Sequence, residues 1–184
     1  YARGLTDKHA IKQVDRLLSN TGIDTWEIFD LWVPAMIAER REVIVALDWS
    51  DFDDGDQSML MLSLTTNHGR ATPLVWRTVI KSELKGQRQQ HEAEVVMKFM
   101  EALPEGVRVT LLADRGFDDH KFMDFLKGVC GFDFVIRFRG GTVVESEQGE
   151  SRRAKDWVGR GGRAKMLKNA KITKKRYDVA TVVC

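Results

Sequence analysis

Two short apolar runs, each ending directly before an aspartate, constrain the fold of this chain more than any other sequence feature. Residues 43–47 and 107–113 are rich in apolar and β-branched side chains, which is typical of strands buried inside a sheet. Asp48 follows the first run and Asp114 follows the second. The pattern predicts two central strands that each carry a carboxylate to the edge of the sheet.

The segments around these runs predict the rest of the sheet and its helices. Strands are predicted over 59–65 and 73–80, with a hairpin connection at 67–70, and a further strand over 132–138. Helices are predicted over 88–102 and 118–127. The order strand, strand, strand, helix, strand, helix, strand predicts an α/β fold of the ribonuclease H-like type, in which helices flank a mixed sheet.

Both ends of the chain differ from this central part. Two helices are predicted at the N-terminus. The first covers residues 6–20 with Thr6 as N-cap, and the second covers 24–40, where Pro34 is expected to kink or divide it. After Gly140 and Gly141 the pattern predicts short strands near 164–167, 171–173 and 177–183. The chain begins without Met and finishes on an apolar run, so we expect an internal fragment.

The basic charge of the chain is concentrated in its last third. Between Arg137 and Asp178 there are 13 Lys or Arg and 5 Asp or Glu, whereas the remaining residues are acidic overall. Such a segment suits a polyanion, because neutralised phosphates release condensed counterions. A solvated lysine-rich surface explains the charge equally well.

Paired aspartates at strand ends are suited to binding a divalent cation. If the two strands are neighbours, the carboxylates of Asp48 and Asp114 converge and repel each other unless a cation lies between them. Hard oxygen ligands favour Mg²⁺ or Mn²⁺. A single aspartate after a strand is more often an ordinary turn former or helix cap.

The sequence around the two aspartates resembles the DDE transposases of bacterial insertion sequences, especially the insertion-sequence-four branch. Asp48 is followed by Trp49 and Ser50, an aromatic and a hydroxyl residue, and Asp114 opens an Asp-Arg-Gly-Phe motif. The resemblance divides the chain into a helical N-terminal segment (1–41), an incomplete ribonuclease H-like catalytic core (42–139) and a truncated, basic, β-rich insertion after the fifth strand (140–184).

The resemblance also implies an activity and its partners. It implies phosphodiester hydrolysis and strand transfer at transposon ends in cut-and-paste transposition, with two Mg²⁺ or Mn²⁺ ions in the complete enzyme held by Asp48 and Asp114 as catalytic ligands. The expected partners are double-stranded DNA and a second copy of the chain, as a homodimer in the synaptic complex. The expected location is the bacterial cytoplasm. The third acid, a Glu in a Tyr-Arg-Glu-Lys signature, is expected beyond residue 184, since Glu145, Glu147 and Glu150 fall in a polar loop.

Cations near the predicted site and in the basic segment are the candidate DNA-binding residues. The set comprises Arg115, Arg137, Arg139, Arg152, Arg153, Lys155, Trp157 and Arg163. Arg115 could instead pair with an acidic neighbour. Trp157 could stack on an extruded base, although packing in the core of a small β-domain is the more ordinary role for a tryptophan.

The same residues also fit other functions. A truncated transposase acting as a catalytically silent DNA-binding module and another ribonuclease H-like nuclease, such as a junction resolvase, remain alternatives. The acidic turn at 51–56 lacks the spacing of an EF-hand. Cys130 and Cys184 have no metal-site spacing and are expected to be reduced thiols. His91 and His120 are expected at the surface or in capping positions, and no segment is apolar enough to predict a membrane span.

Overall fold

The computed structural model describes residues 7–52, 55–66, 69, 71–159 and 161–184. Its elements in chain order are α1 (Asp7–Leu18), α2 (Thr25–Ile37), β1 (Glu42–Asp51), β2 (Gln57–Thr65), β3 (Ala71–Ile80), α3 (Arg88–Ala102), β4 (Arg108–Ala113), α4 (His120–Gly128), β5 (Asp133–Ile136), β6 (Val143–Glu145), β7 (Ser151–Arg153), α5 (Ala154–Trp157), β8 (Met166–Ile172) and β9 (Tyr177–Val183). Short 3₁₀ turns at Lys81–Glu83 and Arg115–Phe117 precede α3 and α4.

Some predicted features lie outside the described residues. They are the N-cap Thr6, Asp53 and Asp54 of the acidic turn, the hairpin residues Asn67, His68 and Arg70, and Arg160 of the basic segment.

The first sheet is five-stranded and mixed, in the order β3-β2-β1-β4-β5. β1 and β2 are antiparallel, as are β2 and β3, whereas β1 and β4 are parallel, as are β4 and β5. The predicted order of strands and helices is confirmed, and the condition for the two aspartates to converge is met, because the strands that contain 43–47 and 108–113 are parallel neighbours. The chain therefore forms an α/β sheet flanked by helices.

Alternation along β1 and β4 separates the two faces of this sheet. Val43, Val45 and Leu47 are buried on one face of β1, together with Val109 and Leu111 of β4, and they share a core with the buried side chains of α2 and α3. The opposite face is more open: the side chain of Ile44 is 48% exposed and that of Val135 is 60% exposed. Trp26, Trp32 and Trp76 also pack against this core.

Several boundaries differ from the predicted ones. β1 does not end at Leu47 but continues to Asp51, because residues 48–51 remain paired with β2. α2 runs through Pro34 without division. The predicted helix at 118–127 begins only at His120, where Asp119 accepts a hydrogen bond from the backbone N–H of Lys121. β5 is limited to four residues.

A second, antiparallel sheet in the order β7-β6-β8-β9 follows the first. Its buried side chains, among them Val144, Trp157, Ile172 and Val182, form a separate cluster. The predicted β-rich character of this segment is confirmed, but β6 and β7 were not predicted. The strands predicted near 164–167 and 171–173 are one strand, β8, which is interrupted by Asn169 at a φ of 47°.

The N-terminal helix α1 exposes three apolar side chains at helical spacing: Ile11, Val14 and Leu17 are 68%, 55% and 61% exposed. Among the described residues, no helix has the length and apolar character needed to cross a membrane.

Candidate active site

Asp48 and Asp114 lie side by side on the open face of the first sheet. Leu47 and Ala113 are partners in the parallel pairing of β1 with β4, and the two aspartates are the next residues along these strands. Asp114 has extended backbone angles, φ −80° and ψ −177°, so the alternation of side chains continues through it. Both carboxylates therefore leave the sheet on the face opposite the buried Leu47, on backbones about 4.8 Å apart.

The carboxylate oxygens of Asp48 and Asp114 could supply some, but not all, of the ligands of a hard divalent cation. Asp48 is exposed, and its carboxylate makes no hydrogen bond or ion pair within the described part of the chain. Asp114 uses Oδ1 to accept a hydrogen bond from the backbone N–H of Gly116 at 2.6 Å, which leaves Oδ2 open. Carboxylate oxygens are the ligands that Mg²⁺ and Mn²⁺ prefer. The two residues could hold such an ion, but they supply only two protein ligands.

Gly116 permits the tight turn that places Asp114. A Cβ atom added at Gly116 would lie 2.9 Å from Oδ1 of Asp114, closer than such contacts normally allow. Any side chain at this position would thus displace the carboxylate of Asp114. The glycine of the Asp-Arg-Gly-Phe motif is explained by this close approach.

No third metal ligand accompanies the pair among the residues that the structure describes, where no group of three or more His, Cys, Asp or Glu side chains could hold a metal ion. The late glutamates are engaged elsewhere: Glu145 pairs with Arg176, Glu147 accepts from Asn169 and Glu150 pairs with Arg152. They lie in and around the second sheet.

The N-terminal end of α3 contacts Trp49, the residue next to Asp48. The sequence did not predict these contacts. The indole N–H of Trp49 donates to Oε1 of Glu92 at 2.9 Å, and Glu92 is only 5% exposed. Burial raises the pKa of Glu92, while the hydrogen bond from Trp49 and the charge of Arg88 act in the opposite direction. The guanidinium of Arg88 lies 4.9 Å from the centre of the Trp49 indole ring.

A second charged cluster surrounds Asp51, the last residue of β1. Lys81 contacts Asp51 at 2.7 Å and Ser58 donates to the same carboxylate at 2.5 Å. The hydrogen bond with Lys81, followed by that with Ser58, lowers the pKa of Asp51. Because its carboxylate already has a cation and a hydroxyl donor, Asp51 is a poor candidate for an additional metal ligand.

Three of the predicted DNA-binding arginines lie near the carboxylate pair or just beyond it. Arg115 is exposed and begins the 3₁₀ turn after Asp114. The backbone N–H of Arg137 donates to the carbonyl of Ala113 at 3.1 Å, so Arg137 lies level with Asp114 at the same edge of the sheet. Arg139 is exposed two residues further on.

The remaining predicted residues divide into two groups. Arg153, Lys155 and Arg163 are exposed and form no ion pair with any acid in the described ranges. Arg152 instead pairs with Glu150, and its guanidinium lies 5.2 Å from the centre of the Trp157 ring.

Trp157 itself is buried, at 4% exposure. Its indole N–H donates to the carbonyl of Val144 at 3.2 Å, and Lys165 lies 4.7 Å from the ring centre. This is the core-packing role; the ring has no open face on which a base could stack.

The two histidines differ from each other. His120 is one-third exposed beside Asp119 at the start of α4, near the capping position expected for it. His91 is expected at the surface or in a capping position, but its side chain is only 13% exposed; Nδ1 lies 3.5 Å from the carboxylate of Glu94, one turn further along α3. Neither histidine lies with the carboxylate pair in a metal-binding group.

Comparison with known proteins supports one family. No curated protein and no solved structure matches the chain. A family model described as the transposase DDE domain matches residues 72–182. The matched segment contains Asp114 and the basic segment but begins after Asp48. Because this match covers more than half of the chain, the chain belongs to the transposase DDE domain family.

Proposed function

We propose that this chain carries two of the metal ligands of a cut-and-paste transposase, Asp48 and Asp114, and most closely resembles the insertion-sequence-four branch. The observation that carries the proposal is the parallel pairing of Leu47 with Ala113. It brings two exposed carboxylates to one face of one sheet edge. Two Mg²⁺ or Mn²⁺ ions in the complete enzyme would activate the attacking water or 3′-hydroxyl and stabilise the leaving oxygen of the phosphodiester.

Each of the two aspartates would then have its own role. Asp48, with both oxygens open, would bridge the two ions. Asp114 would hold one ion through Oδ2, while its Oδ1 stays fixed by the backbone of Gly116. The third carboxylate is expected outside the described residues, which contain no suitable cluster of three.

Double-stranded DNA is the proposed partner. Arg115 and Arg137 lie beside the carboxylates and would contact the backbone of the cleaved strand, with Arg139 next along the chain. Arg153, Lys155 and Arg163 would extend this contact along the basic segment, since phosphate contacts position a duplex without reading its sequence. Arg152 would support this surface through Glu150 and Trp157. A homodimer in the synaptic complex is proposed from the family alone.

The test of the metal site is a titration with Mn²⁺ followed by electron paramagnetic resonance of the free ion. We expect the wild-type chain to bind Mn²⁺, and Asp48→Asn or Asp114→Asn to reduce the affinity at least tenfold. Asp133→Asn is the matched control, because Asp133 is an exposed aspartate at the opposite end of the same sheet. It should bind Mn²⁺ as the wild type does.

The same variants separate the proposal from its main alternative. If the wild-type chain binds DNA but its Mn²⁺ affinity is the same as that of Asp48→Asn and Asp114→Asn, the chain is a DNA-binding module without a metal site. Equal loss of Mn²⁺ binding in Asp133→Asn would show nonspecific binding by surface carboxylates and would also contradict the proposed site.

A further inference from the structure

The strand residue after Asp48 is anchored from the other side of the sheet. Side chains alternate along β1, so Trp49 points towards α3 while Asp48 points to the open face. The indole N–H of Trp49 donates to Glu92 at 2.9 Å, and the ring lies under the guanidinium of Arg88. Trp49 is thus fixed both at its polar atom and on one of its faces.

The same end of α3 also contacts the segment that follows Asp114. Nε2 of Gln89 donates to Oδ2 of Asp119 at 2.9 Å. The other oxygen of Asp119 caps α4 by accepting from the backbone N–H of Lys121 at 2.7 Å. Between Asp114 and Asp119 there is only the single 3₁₀ turn Arg115–Phe117 and its flanking residue. One end of one helix therefore touches both carboxylate-bearing segments.

Glu92 is in an unfavourable environment for a residue with only a packing role. A buried carboxylate loses its hydration, and a nonpolar side chain of similar volume would avoid that loss. Glu92 cannot act as a metal ligand in this arrangement, because its carboxylate lies with Trp49 on the covered side of β1. Its polar contact instead fixes the strand position next to Asp48.

We propose that Arg88, Gln89 and Glu92, here called the α3 clamp, position the two carboxylates, with Glu92 as the positioning residue for Asp48. The clamp contacts neither carboxylate and acts through the neighbouring residues, Trp49 and Asp119. A hydrogen bond made directly to a ligating side chain typically changes metal affinity roughly 10- to 100-fold, so a contact one residue away should have a smaller effect. The metal part of this inference rests on the proposed function, whereas the placement of Asp48 does not.

The test compares Glu92→Leu with Glu92→Gln in the whole chain. Leucine removes the acceptor, whereas the amide oxygen of glutamine can still accept from the indole of Trp49. We expect Glu92→Leu to shift the side-chain ¹³C signal of Asp48 in the metal-free protein and to weaken Mn²⁺ binding severalfold, below the roughly 10- to 100-fold effect of a direct partner of a ligand. Glu92→Gln should preserve the Asp48 signal and bind Mn²⁺ within about twofold of wild type.

Glu94→Leu is the matched control for a purely structural effect. Glu94 lies two residues further along α3 and pairs with Arg77 at 2.5 Å, away from Trp49. The Glu94→Leu substitution should leave the Asp48 signal and the Mn²⁺ affinity unchanged. If Glu92→Leu fails to fold, Trp49→Phe removes the same hydrogen bond from its donor side and should reproduce the shift.

An unchanged Asp48 signal in folded Glu92→Leu or Trp49→Phe would overturn the proposed role of the α3 clamp. A shift of the Asp48 signal in Glu94→Leu as large as that in Glu92→Leu would do the same. The metal-free signal decides this even if the wild-type chain does not bind Mn²⁺. In that case the metal site is wrong, but the contact between Glu92 and the Asp48 segment is still tested.

Discussion

Leu47 of β1 and Ala113 of β4 are partners in a parallel pair, and the next residue along each strand is an exposed aspartate. A parallel pair places equivalent ends of two strands at one edge of the sheet. The register therefore decides whether the two carboxylates share a cation. A shift by one residue would move either Asp48 or Asp114 to the covered face.

Neutralising one of the two aspartates should stabilise the metal-free chain. Asp48→Asn or Asp114→Asn removes the repulsion between neighbouring carboxylates, and we expect Tm to rise by no more than about 2–4 °C. Adding Mg²⁺ should raise Tm of the wild type, because a ligand that binds only the folded state stabilises it. The variants should show little response to Mg²⁺ in differential scanning fluorimetry. A fall in Tm on either substitution, without metal, would contradict the predicted repulsion.

Gly116→Ala should disturb Asp114 while leaving the fold intact. The new methyl group would lie 2.9 Å from Oδ1 of Asp114, and the carboxylate can rotate away more easily than the backbone can move. We expect Mn²⁺ affinity to fall at least severalfold and Tm to change by only about 1–3 °C. Gly141→Ala is the control, because an added Cβ there meets nothing within 4 Å. Equal Mn²⁺ affinity of the two variants would refute the role assigned to Gly116.

Glu92→Gln should change the pH dependence of stability. Burial raises the pKa of Glu92 above its usual value of 4.5, so the folded state holds this proton more tightly than the unfolded chain. Stability then falls as pH rises through the interval above 4.5. We expect Glu92→Gln to have a higher Tm than wild type near neutral pH, and the difference to shrink as pH falls towards 4.5, in thermal melts monitored by circular dichroism.

Glu94→Gln should give the opposite sign. Burial acts to raise the pKa of Glu94, but the hydrogen bond from Gln90 and the charge of Arg77 lower it overall. Its contribution to stability is present above pH 4.5 and is lost as pH falls through its lowered pKa. The variant should therefore be less stable than wild type near neutral pH. The same sign for both variants would mean that the two environments have been misassigned.

Trp157→Ala should destabilise the second sheet more than the first. The indole is 4% exposed and bonded to the Val144 carbonyl, and truncating such a side chain costs about 3–5 kcal/mol. Amide hydrogen exchange should accelerate in β8 and β9 and less in β1 and β4, because stability is not uniform across a structure. Val158→Ala, at a site 38% exposed, should have little effect. Uniform acceleration in both sheets would show that they unfold as one unit.

The central strands could be predicted because their signal is local. β1 and β4 are short runs of apolar and β-branched residues, and a strand that is buried on a sheet must have that composition. The end of β1 could not be predicted, since three of the four residues at 48–51 are polar and this segment stays in the strand through its pairing with β2. β7 is three exposed polar residues, too few to show any period.

Glu92 shows why the surroundings of the candidate site could not be predicted in full. A glutamate in the first half of an amphipathic helix normally faces solvent. The one local signal against this for Glu92 is its spacing, three and four residues before the buried Val95 and Val96. Its burial depends on Trp49, which lies 43 residues earlier in the chain. Asp48 and Asp114 could be proposed from the sequence because each directly follows its own apolar run, whereas a contact between distant elements requires the packed structure.

The exposed cations of the basic segment should contribute to DNA affinity. Reversing Arg153, Lys155 and Arg163 to Glu should weaken DNA binding, because these residues are exposed and have no acidic partner within the described residues. If each contacts one phosphate, the dependence of log affinity on log salt should become shallower by about 0.9 per lost contact. Fluorescence anisotropy across a salt series measures both quantities. Asp48→Ala should leave the DNA affinity largely intact, since it removes negative charge beside the proposed path of the backbone.

The control for this prediction carries the same charge change at other positions. Arg16, Arg41 and Lys127 are also exposed, lie on or beside α1, β1 and α4, and form no ion pair with a described acid; their triple reversal should have a smaller effect on affinity and slope. Both variants should keep the wild-type circular dichroism spectrum, because exposed cations contribute little to the core. If the two triple variants lose DNA affinity equally, binding depends on net charge alone, and the basic segment is a solvated surface rather than a DNA contact.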